Sequence, residues 1–262
     1  VGETKKAADK VDELLNKMIK EHAAGDESMQ PNRDCYVGTI HAYGMSGSES
    51  NFVLANNVLQ RMLVNYSEGN EAAQPDISSF HAVISACARA SITSTSPKNH
   101  KEALLLAIST VQQMKKSPEL GCPPNSRSYE LLLKCGTSLL SSGPERERAL
   151  RSFFRSCCKD GLANKKMLDA FRSAVSNDAY YKEVVRDAPS YSGIKALPKS
   201  WTRNLGYRPR SHEVTEGGMV ASKRDPIISV SGERVPRTAY NDHRMRRRLE
   251  KKNQKLLQGG RI

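Results

Sequence analysis

The chain has 262 residues, of which 38% are hydrophobic and 6% aromatic, enough for one large domain or two small ones around a thin core. Its formal net charge is +13, which points to a polyanion or an anionic surface as partner. No stretch approaches the ~20 consecutive apolar residues of a membrane span, and the apolar side of the basic C-terminal stretch lacks the large aromatic residues of a membrane-surface helix, so no membrane partner is expected.

Read from the N-terminus, the first strong signal is helical. Val11, Leu14, Leu15 and Met18 fall at i, i+3, i+4 and i+7, one apolar stripe of an amphipathic helix. Pro31-Asn32 follows, then Tyr36, Ile40 and Ala42. A second stripe runs through Val53, Leu54, Val58, Leu59 and Met62. Pro75-Asp76 opens the next segment, with Phe80, Val83, Ile84 and Ala86 behind it. A third stripe uses Ala103, Leu104, Ala107, Ile108, Val111 and Met114. Pro124-Asn125 then precedes Tyr129, Leu131, Leu132 and Leu133, and a fourth, shorter stripe uses Ala149, Leu150, Phe153 and Phe154. Proline lacks the donor a helix interior needs, and Asn or Asp caps the helix that follows.

The chain therefore alternates between a short helix opened by Pro-Asx and a longer helix ending near a Met. Asn32 and Asp76 are 44 residues apart, Asp76 and Asn125 are 49 apart, and a weaker junction near Asn164 comes 39 residues later. Loops account for the irregular period: SITSTSPKN, residues 91–99, between paired helices, and SEGNEAAQ, residues 67–74, after a helix. Helical hairpins bury their apolar faces by stacking, which leaves a concave surface for binding.

Charge is concentrated toward the end. From Asp187 onward 17 Lys and Arg face 7 Asp and Glu, a net +10, against +3 for residues 1–186. Residues 187–239 are rich in Pro, Gly and Ser, with no helical period, and interleave Trp201 and Tyr207 with Arg203, Arg208 and Arg210. Rings that stack on bases and cations that meet phosphates make this a candidate RNA-binding segment; the other reading is that Trp201 and Tyr207 pack it onto the last repeat. The final stretch reads as a helix capped by Asp242 and stopped at Gly259-Gly260. Arg244, Arg246, Arg247, Arg248, Lys251, Lys252 and Lys255 cover most of its surface, as suits an RNA groove or an acidic protein surface. Three regions are thus expected: helical repeats over 1–180, an extended basic segment over 181–239 and a basic helix over 240–262.

The six cysteines form no C-x-x-C pair and no zinc-ligand pattern with His, so they are expected as free thiols in or near a helical core, in a reducing compartment. The chain begins with Val1, so a processed or truncated form is expected, in which a targeting segment would go unseen.

The phrases PNRDCYVGTIHAYGMSG, PDISSFHAVISACARAS and PNSRSYELLLKCGTS resemble the opening of a pentatricopeptide repeat. SNFVLANNVLQRM and HKEALLLAISTVQQM resemble its second helix, and AADKVDELLNKM looks like a second helix cut from its first. The Trp and Leu-Gly signature of tetratricopeptide repeats is missing. The resemblance covers about residues 5–175. It implies an all-α fold, a right-handed α-solenoid of about three to four hairpin repeats, followed here by an extended basic tail ending in a helix.

It further implies single-stranded RNA as ligand, one base per repeat, read by a side chain near the start of the first helix and by the repeat's closing residue. By phase the helix positions are Val37, His81 and Glu130, and the closing positions are Asn32, Asp76 and Asn125. The closing residues follow the family's pattern. The helix positions depart from its usual Asn, Ser or Thr: Val37 offers no hydrogen bond, and Glu130 repels phosphate. At ~1–3 kcal/mol per base, three repeats alone would bind weakly.

Nothing in the chain reads as catalytic. His212-Glu213 has no cysteines after it to complete a deaminase site, Asp225 and Asp242 are isolated, and no phosphate-binding glycine loop occurs. The expectation is a protein that is no enzyme and uses no metal, cofactor or small-molecule substrate. It would be an RNA-binding adaptor in an organelle, the mitochondrion ahead of the chloroplast, serving RNA processing, stability or translation. The alternative is a structural subunit of a large ribonucleoprotein such as an organellar ribosome, with repeats on protein and tail on RNA.

Overall fold

The computed structural model describes residues 2–175, 177–185 and 197–205, and the backbone of 227–228 and 234–235. Among the described residues ten α-helices pack together: α1 (Gly2–Ala23), α2 (Arg33–Met45), α3 (Asn51–Ser67), α4 (Ile77–Thr93), α5 (Pro97–Lys116), α6 (Ser126–Leu139), α7 (Pro144–Lys159), α8 (Lys165–Ala174), α9 (Asp178–Val185) and α10 (Lys199–Thr202). They belong to a unit running from Val1 to Pro209, and Arg210–Ile262 form a second. In the second unit Ile227–Ile228 pairs antiparallel with Arg234–Val235.

Four helices start by one device. The side-chain oxygen of Asn32 accepts the Cys35 N–H at 3.1 Å, that of Asp76 the Ser79 N–H at 3.0 Å, that of Asn125 the Ser128 N–H at 3.1 Å and that of Asn164 the Met167 N–H at 2.8 Å. At α4 and α6 the bond is reciprocated: the backbone N–H groups of Asp76 and Asn125 donate to the hydroxyls of Ser79 and Ser128. Each cap satisfies a donor that the first turn leaves open and is worth about 1 kcal/mol.

The residue four past each cap is then fixed on the inner face. Tyr36, Phe80, Tyr129 and Leu168 occupy that position, all at 1% exposure or less. Met62 and Met114, near the ends of α3 and α5, are equally buried. Fully burying a side chain of this size contributes about 1.5–3 kcal/mol.

Helices α2, α4, α6 and α8 pack each on the next, while α3, α5 and α7 pack on α2, α4 and α6 respectively. The α6–α7 approach is close because Gly136 has no Cβ; one there would lie 2.9 Å from Leu150 Cδ2. The segment SITSTSPKN contributes its first three residues to α4 and its last three to α5, so the connection shrinks to residues 94–96.

The first unit continues past residue 180, where an extended segment was expected. Helix α9 runs on to Val185, and residues 197–205 dock on the turn between α7 and α8. The Trp201 carbonyl accepts the Ala163 N–H at 2.9 Å, Asn204 N–H donates to the Gly161 carbonyl at 2.9 Å, and the Asn204 amide donates to the Asp160 carbonyl at 2.6 Å.

Candidate nucleic-acid interface

The caps that open α2, α4 and α6 are the positions that the family resemblance assigns to closing residues, and Asn164, at the weaker junction, opens α8 in the same way. Their shared phase on adjacent helices puts Asn32, Asp76, Asn125 and Asn164 in one series. Each of the four oxygens is occupied by its own helix. Asp76 is the most heavily used: its Oδ1 accepts the hydroxyls of Ser78 and Ser79 as well as the Ser79 N–H, and its Oδ2 lies 3.8 Å from Arg33. Burial alone would raise its carboxyl; the hydrogen bonds from Ser78 and Ser79 and the Arg33 charge outweigh that and hold it below the usual carboxylate range. Asn32 and Asn125 are exposed.

The three helix positions have different surroundings. Val37 is half-buried. His81 reaches across to α6, where Nε2 lies 2.8 Å from the Ser128 hydroxyl. Burial, assisted by the charge of Arg127, lowers its pKa to about 4 against the pull of Asp76. His81 is therefore neutral at physiological pH and joins α4 to the first turn of α6. Glu130 is held by Arg127 at 3.0 Å, with its side chain only 13% exposed.

A shallow depression of about 390 Å³ lies between the first turns of α6 and α8, lined by Asn125, Ser126, Arg127, Glu130, Asn164 and Lys166. It brings together Asn125 and Glu130 and adds Asn164, which sequence reasoning had noted only as a junction. The Ser126 hydroxyl donates to the Leu162 carbonyl at 2.6 Å, tying the first turn of α6 to the segment before α8.

The tail residues divide. Trp201 is half-buried, meets Phe154 edge-on at 5.7 Å between ring centroids and packs against the end of the last hairpin. Arg203 donates to the carbonyls of Ser200 and Lys159. Tyr207, Arg208, Arg210, Arg244, Arg246, Arg247, Arg248, Lys251, Lys252 and Lys255, with the basic helix expected over 240–262, lie outside the described residues.

Cations that sequence reasoning passed over also appear. Arg148, Arg155 and Lys159 are exposed on α7, spaced i, i+7 and i+11 and thus along one side of the helix. The fourth apolar stripe drew attention to the buried side of that helix only. All six cysteines are free, five of them buried. Cys157 and Cys158, although adjacent, are both covered: Cys157 packs near Asp160 and Glu130, and Cys158 faces residues 197–205. Among the described residues no cluster of His, Cys, Asp or Glu suits a metal ion, and no helix is long and apolar enough to cross a membrane.

Compared with protein-family models, curated proteins and solved structures, the chain gives no significant match.

Proposed function

We propose that this chain is an RNA-binding helical-repeat protein of the pentatricopeptide type, acting in an organelle, the mitochondrion ahead of the chloroplast, in RNA processing, stability or translation. Its first unit is read as a right-handed α-solenoid of about three to four hairpin repeats. The observation that carries the reading is the common phase of Asn32, Asp76, Asn125 and Asn164, which cap α2, α4, α6 and α8, four helices packed in series. The depression holding Glu130 and Asn164 is the junction at which a base edge would be met. The net charge of +13 supplies the attraction for phosphate.

One observation favours the second reading, a structural subunit of a large ribonucleoprotein. His81 and Asp76 are committed to bonds within the protein, and Val37 has no polar group to offer a base. Repeats of this kind would grip protein, and the basic tail would contact RNA.

Binding to a pool of single-stranded RNAs across a salt series tests both, using the full chain and a form ending at Pro209. Sequence preference retained by the shorter form supports the adaptor. Loss of all binding with the tail, after a steep fall with salt in the full chain, overturns RNA reading by the repeats. Co-sedimentation with ribosomal particles then supports the structural subunit.

A further inference from the structure

A groove of about 460 Å³ opens between α7, α9 and the docked residues 197–205, within the volume range of small-ligand sites. Phe154, Val184 and Trp201 form its apolar wall, and Arg155, Lys159 and Arg203 contribute its cations. No carboxylate lines it among the described residues. The acids nearby in sequence are engaged elsewhere: Asp160 with Lys115 at 2.6 Å and Glu183 with Arg151 at 3.3 Å. Arg155 and Lys159 make no ion pair among the described residues.

Arg203 is held in a built cradle. Gly161 has a left-handed backbone, φ 73°, and a Cβ there would lie 2.5 Å from Arg203 Cγ. Two of the guanidinium's five donors are turned to the Ser200 and Lys159 carbonyls, which orient the head and leave the remainder for a ligand. Three like charges beside a low-dielectric wall focus a positive field, and an anion relieves their mutual repulsion. Trp201, supported edge-on by Phe154, offers the planar surface.

We infer that this groove holds one nucleotide of a single-stranded RNA, its phosphate among Arg155, Lys159 and Arg203 and its base against the Trp201 indole. The inference rests on the RNA-binding reading above and gives it a site outside the repeat junctions.

Trp201 is the sole tryptophan of the chain, so its fluorescence reports the groove directly. The full chain is titrated with short oligouridylate, with fluorescence and filter binding followed in parallel over a salt series. Arg155→Gln combined with Lys159→Gln changes two exposed side chains, and Arg148→Gln, on the same helix but outside the groove, controls for charge. Circular dichroism checks that each variant is folded. Saturable quenching is expected. The double variant should weaken affinity about tenfold and reduce the slope of log K against log salt by about 1.4, whereas Arg148→Gln should change it by less than half as much.

An oligonucleotide that binds by filter assay with affinity and slope unchanged in the double variant overturns the groove and leaves the RNA-binding reading intact. Absence of filter binding overturns both. Quenching that saturates equally with inorganic phosphate or a phosphoserine peptide, with no gain from RNA, makes the groove a general anion site and overturns the nucleotide assignment.

Discussion

His81 Nε2 and the Ser128 hydroxyl lie 2.8 Å apart, joining the second turn of α4 to the first turn of α6. The imidazole pKa in the folded chain is lowered to about 4, from an ordinary 6.5. The unfolded chain therefore binds more protons between those values, so stability rises with pH there. His81 contributes fully above about pH 6.5, and its contribution is lost as the pH falls toward 4. The difference is on the order of 2–3 kcal/mol. His81→Asn keeps a hydrogen-bonding group without a titrating one. Urea unfolding from pH 7 to 4 should show the wild type losing stability relative to this variant.

Asp76 is expected to matter more for folding than for base reading. Asp76→Ala removes the α4 cap and the Arg33 contact and should cost about 1–2 kcal/mol in urea unfolding. Asp76→Asn retains an accepting oxygen and should recover most of that. Because the folded carboxyl pKa is lowered, its contribution is present at neutral pH and disappears as pH falls through that value, so wild type and Asp76→Asn should converge in acid.

The α6–α7 contact has no room for a larger residue at position 136. Gly136→Val places its Cβ 2.9 Å from Leu150 Cδ2 and 3.4 Å from Phe153 Cε2. Overpacking of this kind costs about 1–3 kcal/mol. A lowered urea midpoint with unchanged m-value is the expected result.

Gly161→Ala combines a left-handed backbone with a close contact to Arg203. The cost should be about 1–2 kcal/mol. Relief comes most readily by release of residues 197–205, so the emission of Trp201 should shift to the red. An unshifted spectrum would mean that the segment stays docked.

The hairpin framework was readable from residue spacing because each instruction is local. Pro31-Asn32, Pro75-Asp76 and Pro124-Asn125 act within one helical turn, and Tyr36, Phe80 and Tyr129 follow at a fixed offset. The fate of the closing residues was harder to read. The oxygen that marks Asp76 as a closing residue is the one its own helix consumes, and the commitment of His81 depends on a serine 47 positions away. The groove is harder still, since Arg203 meets the Lys159 carbonyl across 44 residues of chain and through a segment with no periodic pattern. Such partners are set by how the last hairpin ends.

The buried cysteines make the protein a recorder of its own opening. Burial pushes the thiol of Cys122 up to about 11 and those of Cys135 and Cys158 up to about 12, and it raises Cys87 and Cys157 as well. Only the thiolate reacts at a useful rate, so an alkylating reagent at neutral pH attacks these positions only when the surrounding helices part. Cys87 lies on α4, Cys122 between α5 and α6, Cys135 on α6, and Cys157 and Cys158 on α7. The order in which they are alkylated is the order in which successive hairpins breathe.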